Sequence, residues 1–377
     1  MVARVYLIPG FFGFANLGEM KYFQHVKEQL EVSFERFGVD VQIHRVDTLP
    51  TAAIARRAHK LLEVMIATAG DEGAIHLVGH STGALDARLL LDPERADHYG
   101  HEELLTRVKS VVSVAGAHRG TPLASAFRTA FGKQILQLLA VMTIRTLKLG
   151  PLPVVAVSTL ATVLAAFDSA VGARPDFIDQ LQEQLLADLT ADRRLALHQL
   201  FEDVRTDQAL LDELTPELAQ HFDAQTRDRP GVEYACVVTE AARPNLRSTI
   251  EAGLSPYAQA SHALYHALYH LTARSPEHTV VPHQVLDCSD ELVAALGDLP
   301  SPADNDGIVP TLSQFHGRLL RALRADHHDV IGHFDEPDWV PPHIDWLLTG
   351  TKFTRPQFEA LWTDIAAFVL EAQRVAS

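Results

Sequence analysis

Four short apolar runs punctuate the first third of the chain: Val2–Ile8, Val41–Val46, Ala74–Val78 and Val108–Val114. Each is short and mainly apolar, which fits a buried strand. Helical stretches separate them. Thr51–Ala69 carries Ile54, Leu61, Leu62, Val64 and Met65 at helical spacing, and Ala84–Leu91 follows the third run directly. Strands joined through helices imply right-handed crossovers, hence a mostly parallel sheet with helices on both faces, an α/β architecture. A fifth run, Val232–Val238, comes later, followed by a His/Tyr-rich helical stretch, a loop region and a closing amphipathic helix from Arg355 to Val375.

At 377 residues the chain is long enough for a sizeable core. Its net charge of −16 opposes binding to nucleic acid or to an anionic membrane surface. Two cysteines, Cys236 and Cys288, make neither a disulfide framework nor a zinc cluster, and are expected as free thiols. The amino terminus reads as strand from its second residue, without the pattern of a secretory leader, which predicts a cytoplasmic protein.

From residue 125 to 222 the alternation stops and the pattern is helical. The most apolar piece, Val154–Phe167, has 14 residues, too few for a bilayer, which takes about 20. No transmembrane segment is predicted. The chain divides into a core over 1–124 and 206–377 and a helical cap or lid over 125–205. Burial in a cap and burial against a lipid surface leave the same apolar pattern, so both readings of this segment stand.

Gly79-His80-Ser81-Thr82-Gly83 sits between the third strand and its helix. A G-x-S-x-G in that context is a nucleophile elbow, a sharp turn that holds the serine above the sheet. The glycines let the helix pack against the turn. A serine hydroxyl needs a base, and the base needs an orienting carboxylate. Both belong late in the chain, where Asp304-Asn305-Asp306-Gly307 offers two acids and Asp326-His327-His328-Asp329 two bases. His80 is expected to pack or gate rather than act as the base. His118, His316 and His333 are loop histidines without a matching acid. The oxyanion donors expected are the N–H groups of Thr82 and of Phe11, in the loop Pro9-Gly10-Phe11-Phe12-Gly13-Phe14. Phe12 and Phe14 would line an apolar acyl slot.

These segments resemble those of the bacterial triacylglycerol lipases and carboxylesterases of the α/β-hydrolase fold. Ser113–Thr121, Leu214–Glu217 and Val285–Asp290 add to the likeness, in order along the chain. The resemblance implies Ser81 as nucleophile, Asp306 rather than Asp304 as acid, and His327 rather than His328 as base. It implies an ester or lipid substrate of apolar acyl chain, with a lipid interface at the lid. It also implies a structural calcium held by the carboxylates of Asp287 and Asp329 and the carbonyls of His333 and Pro337. The same machinery serves acyltransferases, thioesterases and polyester depolymerases, and a binding protein on a retired hydrolase is the remaining alternative.

Overall fold

The computed structural model describes residues 2–11, 22–23, 25–96, 100–128, 158, 206–207, 209–251, 253–274, 279–339, 345 and 347–375. Six parallel strands form one sheet in the order β2-β1-β3-β4-β5-β6. They are β1 (Ala3–Ile8), β2 (Val41–Arg45), β3 (Ile75–His80), β4 (Val108–Val114), β5 (Glu233–Glu240) and β6 (Arg318–Arg324). The expected α/β class stands, and five of the strands lie on the five apolar runs.

The sixth strand was read as loop. Its sequence, with Arg318, Arg321 and Arg324 three apart, has no strand alternation. An edge strand tolerates this because its arginines find acidic partners: Glu371 and Asp364 on the closing helix, and Glu240 at the end of β5. The helices Val26–Arg36 and Arg355–Val375 cover one face of the sheet, where Phe34, Phe358, Trp362 and Ile365 are buried against Val112 and Val237. The helices Ile54–Thr68 and Gly83–Leu91 cover the other, burying Leu61, Met65, Leu85 and Leu89 against Tyr6, Leu77 and Val111. The inner strands β1, β3, β4 and β5 are therefore buried on both faces, while the edge strand β2 stays half-exposed.

All strands run the same way, so their carboxyl ends share one edge of the sheet. The loops after β1, β3 and β6 begin there with Pro9, Ser81 and Ala325, the usual place for a site in open α/β sheets. The cap expected over 125–205 falls, apart from 125–128 and 158, outside the described residues, as do Phe12 and Phe14. No described helix is long and apolar enough to cross a membrane. Cys236 is buried and Cys288 half-buried, both as free thiols, and burial pushes the Cys236 thiol up to about 12.

Candidate active site

Ser81 follows the last residue of β3 with φ +54°, a left-handed conformation that a non-glycine residue adopts only when held there. Its amide donates to the carbonyl of Val114, and its carbonyl accepts from Ala84 N at 3.3 Å, which starts the helix. The flanking glycines are steric requirements. A Cβ on Gly79 would lie 2.5 Å from Ala84 N, and one on Gly83 would overlap the carbonyl oxygen of Ile8. A Cβ on Gly10 would lie 2.6 Å from that of Ser81, so the β1 loop passes directly over the serine.

The structure brings Asp306 and His327 together. His327 Nδ1 lies 2.7 Å from Asp306 Oδ2, and His327 N donates to the carbonyl of Asp306 at 3.1 Å. Asp306 is fully buried, and its carboxylate is saturated with donors. Oδ1 accepts from the amides of Ile308 (3.0 Å) and Val309 (2.7 Å), and Oδ2 accepts also from Thr239 Oγ1 (2.8 Å) and Gln314 Nε2 (3.2 Å). Asp304 lies outside this arrangement. Its carboxylate faces Arg243 and Tyr269 instead.

Ser81, Thr82, Phe11 and His327 line one cavity, whose other walls include Leu123, Phe127, Leu211, Leu214, Leu268, Ile308 and Val309. Among the described residues no lysine, arginine, aspartate or glutamate borders it. The chamber suits an apolar group with one reactive polar centre at its serine end.

No protein-family model and no curated protein matches the sequence. Solved structures do resemble this one. A metagenomic carboxyl esterase is 19% identical, with TM-score 0.52 over 98% of this chain and 76% of its own. EstA from Clostridium botulinum is 16% identical, with TM-score 0.53 over 97% of this chain and 87% of its own. The Staphylococcus hyicus lipase is 16% identical, with TM-score 0.52 over 99% and 96%. The chain has the α/β-hydrolase fold. At these identities the likeness to bacterial lipases and esterases is one of fold.

Some residues that organise the site were not singled out from sequence. Arg57, fully buried, holds Asp86 through Nε (3.0 Å to each oxygen) and Nη2 (2.8 Å), and donates to the carbonyls of Pro9 (2.8 Å) and Leu49 (2.7 Å). Burial raises the Asp86 carboxyl to about 6, with Arg57 opposing the rise. A charged residue inside the apolar stripe Ile54–Met65 was the available signal. His80 is not the base: burial holds it neutral, well below the usual histidine range, and its Nε2 lies 2.8 Å from the carbonyl oxygen of His327. His316 does have an acid partner, Asp228 at 2.9 Å, although neither lines the cavity.

The structure sets the two carboxylates that the resemblance implies as metal ligands apart from each other. Asp287 is exposed at the end of the short helix Gln284–Asp287, Pro337 is exposed in a turn, and the His333 ring donates to the carbonyl of Tyr22. Asp329 gathers instead with Asp326 and Asp345, an oxygen of each lying within 4.8 Å of the others. The two buried members are tied together, since Asp326 N donates to Asp329 Oδ2 and Asp329 N to Asp326 Oδ1. Thr349 and Thr351 donate to them as well. Burial and mutual repulsion raise all three carboxyls, Asp326 to about 7. Among the described residues no lysine or arginine pairs with them. Three clustered carboxylates without nitrogen or sulfur donors fit a hard cation such as calcium.

Proposed function

We propose that the protein is a carboxylic ester hydrolase that works by two-step acyl transfer through Ser81, His327 and Asp306. The observation that carries the reading is the His327–Asp306 hydrogen bond together with a serine held at positive φ, Ser81 and His327 lining one apolar cavity. His327 takes the Ser81 proton as the hydroxyl attacks the ester carbonyl. Asp306 fixes the Nδ1–H tautomer, leaving Nε2 free to accept, and stabilises the imidazolium. The N–H groups of Phe11 and Thr82 hold the tetrahedral oxyanion. His327 then protonates the leaving alcohol and activates water, which releases the acid.

The wall chemistry favours esters with apolar acyl chains and uncharged alcohols. A thioester carrying a phosphorylated carrier would find no cation among the cavity's described walls. The Asp326, Asp329 and Asp345 carboxylates would hold a calcium ion directly beside the base. That ion would neutralise their repulsion and stiffen the His327 loop. Replacement of Ser81 by Ala tests the core of the proposal: hydrolysis of p-nitrophenyl esters is expected to fall to background with the thermal midpoint retained. A variant with wild-type turnover would remove Ser81 from the chemistry.

A further inference from the structure

Tyr22 connects the three loops that bring the site together. Its hydroxyl lies 2.9 Å from the amide of Gly10 and 2.7 Å from Nδ1 of His80, and His80 Nε2 lies 2.8 Å from the carbonyl oxygen of His327. The direction of every bond in this chain follows from elementary chemistry. A carbonyl oxygen only accepts, so His80 carries its proton on Nε2. Nδ1 is then an acceptor, and the phenol must donate to it. An amide only donates, so the phenol oxygen takes the Gly10 proton. The sequence of donors is Gly10 N–H to Tyr22 O–H to His80 Nδ1, then His80 Nε2–H to the His327 carbonyl.

The consequences fall on the catalytic groups without Tyr22 touching the reaction. His80 adjoins Ser81, so its bond to His327 ties the main chain of the base to that of the nucleophile. Gly10 precedes Phe11, so the same phenol also sets the loop that offers the first oxyanion donor. The Tyr22 main chain is held in turn by the His333 ring at 2.9 Å, from the loop that follows His327. Although Tyr22 borders the cavity, its proton is committed to His80, so it is not a third oxyanion donor.

We infer that Tyr22 is a positioning residue: by donating to His80 it locks the Nε2–H tautomer that anchors the main chain of His327, and it registers the oxyanion loop against the nucleophile. This rests on the ester-hydrolase reading, although the tautomer itself does not. Without the phenol hydroxyl, His80 is free to adopt the Nδ1–H tautomer, whose Nε2 lone pair repels the His327 carbonyl. Displacement of a catalytic group by a fraction of an ångström to 1 Å costs up to about 100-fold in rate.

The test is Tyr22→Phe in the full chain, which keeps the ring and removes one oxygen. On a p-nitrophenyl ester, kcat is expected to fall about 10- to 100-fold with KM within about twofold, and with the thermal midpoint close to wild type. Nitrogen-15 spectra of the histidine-labelled protein report the tautomer, with His80 assigned by its loss in His80→Gln. They should show His80 as Nε2–H in wild type and as a mixture in Tyr22→Phe. Unchanged kcat, a loss confined to KM, or an Nδ1–H tautomer in the wild type each overturns the proposal. Absence of ester hydrolysis in the wild type, with the Nε2–H tautomer present and lost in the variant, would instead sink the ester reading and leave the anchor standing.

Discussion

Asp306→Asn removes one charge and replaces one oxygen by nitrogen, and the structure dictates how the amide must sit. The amides of Ile308 and Val309 donate to Oδ1 from a turn that cannot rotate, so the Asn oxygen must take that end. The NH2 group then occupies the Oδ2 position, 2.7 Å from His327 Nδ1. It donates to Nδ1, the imidazole proton moves to Nε2, and the base facing Ser81 is already protonated. Loss of the correct tautomer in this kind of relay costs about 10⁴ in kcat, about 5 kcal/mol of transition-state stabilisation. Gln314 Nε2, 3.2 Å from the same position, now meets a donor. Gln314 keeps its place through Thr239, and its Nε2 retains the carbonyls of Thr239 and Val309 as acceptors. The assay is steady-state hydrolysis of a p-nitrophenyl ester, with thermal melts as the control for folding. The expected result is kcat reduced at least 10³-fold, KM little changed, and a melt lowered by only a few degrees. A variant keeping a tenth of wild-type kcat would refute the relay.

Two further outcomes follow from buried charge. Arg57→Met strands the Asp86 carboxylate and should cost about 3–5 kcal/mol in urea unfolding. Adding Asp86→Leu should restore most of the stability but not the activity, because the anchor on the Pro9 carbonyl stays lost; a single variant within about 1 kcal/mol of wild type would contradict this. Without calcium, the folded chain holds the Asp326 proton to about 7 against an ordinary 3.8. The folded state binds that proton more tightly than the unfolded state, so the stability it contributes at low pH is lost as pH rises through about 7. Calcium requires the ionised carboxylates, so its stabilisation should grow over the same range. Melts with and without chelator should therefore differ more at pH 8 than at pH 6, and Asp329→Asn should erase the difference. Equal melts at both pH values would exclude the site.

The five strands were legible because burial, nearly complete in all but the edge strand β2, leaves them mostly apolar. The elbow was legible for a related reason: the close approach of helix to strand at Gly79 and Gly83 forbids side chains, and the sequence records the prohibition. What escaped was whatever depends on partners distant in sequence. β6 was read as loop because its arginines are spaced for pairing with Glu371, Asp364 and Glu240, not for a sheet face. Asp326 and Asp345 are ordinary acids in ordinary loops until the fold sets them beside Asp329.

The same distinction separates the motifs of Asp306 and His327 from the carboxylates of the candidate metal site. Asp306 and His327 each occupy a short motif whose local geometry, an Asx-type turn and the loop after the last strand, fixes the side chain wherever the motif occurs. A metal site has no such local signature, because its ligands converge from separate loops and any nearby acid can substitute. Asp287 fails on this count. Its helix packs through Val285 against the β5–β6 edge, leaving the carboxylate in solvent, while the His327 loop finds its carboxylates within itself and across at residue 345. Tyr22 marks the far end of this scale. Nothing around it in the sequence distinguishes it from a packing aromatic, and only the direction of three hydrogen bonds, deduced once the fold was known, gives it a role.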